Sequence, residues 1–170
     1  CVSHNSLYFI LTLFVFKYSV VDMYVQCETK EVRQAIKQNI PALVTAIGAQ
    51  SSVLLNIITN FPNGAEELIL LFLPHLAVGK PSPELVNAVV TVYKERTRDA
   101  RFLIPILFGL SSDELIGFLP DLVSLSSPIL KAVIHRLLQP GSPITPSTLL
   151  VQLHLLDPSA VSLKKIIEGK

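Results

Sequence analysis

The chain has 170 residues, half of them hydrophobic, which is enough for one well-cored domain and too few for two comfortable ones. Fourteen basic against thirteen acidic side chains leave a formal charge of +1, so no global field drives non-specific nucleic-acid binding and any RNA contact has to be local. Cys1 and Cys27 have no neighbouring Cys or His at ligand spacing, which supports neither a disulfide framework nor a zinc site and fits a reducing compartment.

Residues 1–21 form an apolar segment, dense through Leu7-Tyr8-Phe9-Ile10-Leu11 and Leu13-Phe14-Val15-Phe16. The stretch Leu7-Tyr24 is almost long enough to span a bilayer. It supplies the alternative reading, a membrane-anchored helical interaction protein. Against that reading, Lys17 and Asp22 fall inside the span, and each costs about 2.5–3.5 kcal/mol near a membrane centre. Because Cys1 is not an initiator residue, a fragment or a gene-model artefact is the expectation for residues 1–21, ahead of one helical domain over residues 22–170.

Behind this segment Val32, Ala35, Ile36, Ile40, Leu43, Val44 and Ile47 recur at helical spacing, with Pro41 inside the stripe and Gly48 ending it. A repeat follows. Glu66-Glu67-Leu68-Ile69 is answered by Asp113-Glu114-Leu115-Ile116, Phe72-Leu73-Pro74-His75-Leu76 by Phe118-Leu119-Pro120-Asp121-Leu122, and Ser82-Pro83-Glu84-Leu85 by Ser127-Pro128-Ile129-Leu130, at offsets of 45–47 residues. A period near 40–47 with two helices per unit is the signature of HEAT and armadillo arrays. The expected fold is therefore all-α, a HEAT/armadillo-like α-solenoid of stacked antiparallel helix pairs with eight or nine helices.

Helix starts are signalled by Ser82-Pro83, Ser127-Pro128, Thr145-Pro146 and Asp157-Pro158, each a capping side chain before a proline, and by the Ser111…Glu114 capping box. Leu85, Ala88, Val89, Val92 and Tyr93 repeat the one-sided spacing, as do Leu115, Phe118, Leu119, Leu122 and Val123, and then Leu130, Val133, Ile134, Leu137 and Leu138. Pro41, Pro74, Pro105 and Pro120 fall inside apolar helical text, where each is expected to kink or split its helix at about 3 kcal/mol. Leu68 to Leu73, Leu103-Ile104 and Ile106-Leu107-Phe108 are apolar on all sides, as in helices packed between neighbours.

No constellation for catalysis emerges. His4, His75, His135 and His154 are far apart, and none has a carboxylate or thiol at helical ligand spacing. There is no nucleophile-elbow serine and no glycine pair at phosphate-loop spacing, so the reading is a protein without enzymatic activity or cofactor. The sharpest charged feature is Lys94, Arg96, Arg98 and Arg101, offset only by Glu95 and Asp99. These four are the candidate partner-binding residues, because arginine grips carboxylate or phosphate in bidentate fashion. The competing reading has Lys94 and Arg96 opposing the negative end of a helix dipole, worth about 0.3–1 kcal/mol each.

The run Tyr93-Lys94-Glu95-Arg96-Thr97-Arg98-Asp99-Ala100-Arg101-Phe102-Leu103-Ile104-Pro105-Ile106-Leu107-Phe108-Gly109-Leu110 closely resembles the symplekin carboxy-terminal family. The likeness continues through Asn63-Gly64-Ala65-Glu66, Pro81 to Val86, Val133-Ile134-His135-Arg136-Leu137-Leu138 and Leu149-Leu150-Val151-Gln152-Leu153-His154, and spans residues 22–168. Residues 1–20 have no counterpart in it, and the family's large amino-terminal HEAT domain is absent from the sequence. The resemblance implies a nuclear, non-enzymatic scaffold in pre-mRNA 3′-end cleavage and polyadenylation. Such a scaffold helps hold the endonuclease subunit and its inactive homologue within the cleavage and polyadenylation specificity factor, with direct RNA contact through the arginines as a secondary use.

Overall fold

The computed structural model describes residues 20–48 and 51–156. Among these residues there are eight α-helices and no strand: α1 (Val21–Gln26), α2 (Lys30–Ile47), α3 (Ser52–Asn60), α4 (Glu66–Leu76), α5 (Pro83–Val92), α6 (Ser112–Val123), α7 (Ser127–Leu137) and α8 (Pro146–Leu155). They fall into two compact units, one within Cys1–Thr97 and the other within Arg98–Lys170.

In the first unit alternate helices pack together, α2 on α4 and α3 on α5, while α1 folds back on α2. Leu54, Ile58, Leu68, Ile69, Phe72, Leu73 and Val89 are fully buried and make the core. The stripe on α2 is less committed than its spacing implies, since only Ile40 and Val44 of that helix are buried while Val32 and Leu43 remain exposed. Gly48 ends α2 at φ +95°, a conformation that suits a residue without Cβ. Ser82 caps α5 by accepting the Leu85 amide at 3.3 Å, with Pro83 in the first turn as its φ requires.

In the second unit α6 packs on α7 and on the turn Ala100–Leu103. The capping box of α6 is complete: the Glu114 amide donates to Ser111 Oγ at 3.3 Å, and the Ser111 amide donates to Glu114 Oε2 at 2.8 Å. Thr145 caps α8 by accepting the Thr148 amide at 3.1 Å. Ser126, one residue earlier than the sequence pattern suggests, is the N-cap of α7, and Pro128 sits within the first turn.

The two copies of the sequence repeat are α4–α5 and α6–α7. Leu68, Phe72, Leu73 and Leu76 are buried in α4 as Leu115, Phe118, Leu119 and Leu122 are in α6, and Leu85 and Val92 in α5 correspond to Leu130 and Leu137 in α7. Pro74 and Pro120 are exposed, and both helices run through them to their ends. Each proline sits near the C-terminus of its helix, so the single amide it withholds does not split the helix as expected. Pro41 likewise lies within an unbroken α2.

Text read as a helix at Leu103 to Phe108 is instead a pair of 3₁₀ turns, Ala100–Leu103 and Leu107–Gly109, with Pro105 in the turn between them. Phe102, Leu103, Ile106 and Leu107 are nonetheless fully buried. Apolar text on every side secured burial here, while Pro105 and Gly109 denied the backbone a continuous α-helical ladder.

Candidate functional site

The four candidate cations divide between the units, Lys94 and Arg96 in the first and Arg98 and Arg101 in the second. Behind Val92 the last turn of α5 widens into a π-helical turn, Tyr93–Thr97, anchored by the buried Tyr93. Lys94 is exposed on that turn.

Arg96 is engaged inside its own unit. Its Nη1 donates to the Thr59 carbonyl at 2.8 Å and its Nη2 to the Phe61 carbonyl at 2.6 Å, while the guanidinium lies 4.3 Å from the centre of the Phe61 ring. The guanidinium thus satisfies acceptors at the C-terminal end of α3, where carbonyls lack intrahelical donors. A cation closing a helix end was the expectation, and the helix it closes is a different one from its own.

Arg101 folds back on Asp99. Its Nε donates to Asp99 Oδ2 at 2.9 Å and its Nη2 to the same oxygen at 2.6 Å, while its backbone amide donates to Asp99 Oδ1 at 2.9 Å. Burial alone pushes the Asp99 carboxyl up, but these hydrogen bonds and the adjacent positive charge outweigh it and hold the group below its ordinary value. Asp99 is at once the N-cap of the Ala100–Leu103 turn and the counter-ion of Arg101. Arg98 is exposed and occupies the left-handed region at φ +51°, the only non-glycine among the described residues with positive φ.

A second arginine repeats the chemistry of Arg96. In the second unit, Arg136 donates through Nη2 to the Pro105 carbonyl at 3.1 Å and lies 5.3 Å from the Phe108 ring centre. It pins α7 to the turn segment that replaces the expected helix.

No charged or polar residue is buried among the described residues, and no group of three or more His, Cys, Asp or Glu there is placed to hold a metal. Exposed apolar surface is the more conspicuous resource. In α8 only Leu149 is buried, whereas Leu150, Val151 and Leu155 are 70%, 55% and 71% exposed. A groove of about 370 Å³ is lined by Leu153 of α8 and by Val123, Leu130, Lys131, Ile134, His135 and Leu138. A second groove of about 390 Å³ is lined by Met23, Val32, Ile36, Ile40 and Leu43 in the first unit. The apolar character of α8 was visible in the sequence, but its exposure was not, because apolar text on all sides ordinarily means burial.

Among the described residues no helix is long and apolar enough to cross a membrane, and most of the Leu7-Tyr24 stretch lies outside them.

No solved structure matches the chain. Residues 99–169 match the family model described as symplekin tight junction protein C terminal, beginning at the Asp99 cap and running past α8. Over residues 99–169 the chain is therefore similar to the symplekin C-terminal family.

Proposed function

We propose that this chain is a non-enzymatic protein-binding scaffold that acts in the nucleus, in pre-mRNA 3′-end cleavage and polyadenylation. The match over residues 99–169 carries the reading, because the family is one of scaffolds. Residues 22–170 are its helical repeat domain, and its partners are the endonuclease subunit of the cleavage and polyadenylation specificity factor and that subunit's inactive homologue.

A HEAT-like stack is the architecture proposed for it. The repeat offset of 45–47 residues and the packing of α2 on α4 and α3 on α5 support that stack, since alternate helices of successive pairs meet in such arrays. The exposed apolar residues of α8 fit burial by protein rather than by a small ligand. Lys94, Arg96, Arg98 and Arg101 are assigned the partner contacts, Arg96 and Arg101 in addition to the internal carbonyls and Asp99 that they serve.

The test is capture from nuclear extract with residues 22–170 as bait, compared with a Lys94→Glu, Arg98→Glu variant. Recovery of the cleavage-factor subunits by the unmodified bait supports the scaffold assignment. Their loss with a folded variant supports the assigned contacts. A folded bait that recovers none of them overturns the reading.

A further inference from the structure

In the second unit, α7 and α8 border a surface that no residue singled out in the sequence explains. Leu130, Ile134 and Leu138 recur at i, i+4 and i+8 from α7 to its C-cap, and with Leu153 of α8 they line the groove of about 370 Å³. Leu130 is buried, Ile134 and Leu153 pack against the core only in part, and Leu138 is 49% exposed. Among the described residues Lys131 and His135 are the only polar members of the lining, both exposed and one helical turn apart.

Charge narrows what can dock there. Between Asp121 and Asp157 the sequence contains no acidic residue, while Lys131, His135, Arg136 and His154 all fall inside that stretch. Arg136 serves the Pro105 carbonyl, which leaves Lys131 as the full charge at the groove, with no ion-pair partner among the described residues. A second copy would present the same acid-free surface across a two-fold contact, so no carboxylate would meet Lys131. A small molecule would find no polar group among Leu130, Ile134, Leu138 and Leu153 to orient it.

Shape narrows it further. The 11 residues of α7 extend the groove wall over about 16 Å, whereas apolar side chains at i, i+3, i+4 and i+7 of a docked helix span about 10.5 Å.

We infer that this groove takes an amphipathic helix of another protein, its apolar face laid against Leu130, Ile134, Leu138 and Leu153 and its flanking Glu or Asp residues reaching Lys131 and His135. None of the four candidate cations takes part, and the assignment does not depend on the scaffold reading.

The probe is a fluorescein-labelled helical peptide with leucine at i, i+3, i+4 and i+7 and glutamate along both flanks, titrated with the full chain by fluorescence anisotropy. A second peptide replaces every glutamate with lysine. The acidic peptide is expected to bind, and the lysine peptide to bind at least about tenfold more weakly. Lys131→Glu should weaken the acidic peptide about tenfold and narrow the gap between the two. Leu138→Asp, at a half-exposed position that the fold tolerates, should weaken both peptides with the circular dichroism unchanged. Lys80→Glu, the same charge change in the first unit, should alter neither. Equal affinity for the two peptides, or affinity insensitive to both Lys131→Glu and Leu138→Asp, overturns the inference. Absence of binding by the folded chain overturns it too, and sedimentation of the parent against Leu138→Asp then shows whether a second copy fills the groove. Binding of phosphatidylserine vesicles in place of the peptide assigns the groove to a lipid surface and overturns it equally.

Discussion

Arg96 stacks its guanidinium 4.3 Å from the centre of the Phe61 ring and donates to the carbonyl of that same residue at 2.6 Å. One side chain thereby ties the π-helical turn after α5 to the end of α3, across 35 residues of sequence. The two helices already pack together, and the guanidinium secures their C-terminal ends.

Arg96→Ala is expected to cost about 1–2 kcal/mol in urea unfolding of the full chain, from charged hydrogen bonds worth about 1.5–3 kcal/mol and a stacking contact worth about 0.5–1 kcal/mol, reduced by the exposure of the side chain. Arg96→Lys should recover less than half, because an ammonium cannot serve two carbonyls and the ring face in one plane. A loss equal to that of a typical surface substitution would refute the staple.

The Asp99 carboxyl is held below its ordinary value in the folded chain, so its contribution is present above the unfolded value and is lost as pH falls through the folded one. Asp99→Asn keeps the capping oxygen but removes the charge, and should flatten the acid limb of the stability profile below about pH 4. Asp99→Ala removes both and should cost about 1 kcal/mol more at pH 7 than Asp99→Asn. Thermal melts of both variants from pH 2.5 to 7 read the difference.

Arg98 holds φ +51°, a conformation that costs an L-residue about 1–2 kcal/mol relative to the right-handed region. Arg98→Gly relieves that strain and gives back part of the gain as unfolded-chain entropy, so the variant should be neutral or up to about 1 kcal/mol more stable. Arg98→Val should be less stable than the parent by about 1 kcal/mol, since a β-branched residue tolerates this region poorly. If the two variants melt together, the left-handed assignment is wrong.

Phe72 and Phe118 occupy equivalent places in the two repeat copies and are buried to 0% and 8% exposure. Each truncation to alanine should cost about 3–5 kcal/mol, with the larger loss at Phe72. Amide exchange should rise first in α4 and α5 for Phe72→Ala and in α6 and α7 for Phe118→Ala, because the two residues belong to different compact units. Uniform acceleration along the chain would count against two separable units.

The helices, their caps at Ser82, Ser111 and Thr145 and the pairing of Phe72 with Phe118 were legible in the sequence, because helical period and capping chemistry act within a few residues of one another. The resemblance to the symplekin C-terminal family, too, was carried by local text. Three features were decided only by tertiary structure. Arg96 and Arg136 found carbonyl acceptors 31–37 residues away, a distance at which no sequence spacing points to a partner. The Leu103 to Phe108 text took its burial from its apolarity, but its turn geometry from Pro105 and its neighbours. The apolar α8 kept Leu150, Val151 and Leu155 on the surface, because burial depends on which neighbour arrives to cover a face, and a helix's own composition does not specify that neighbour.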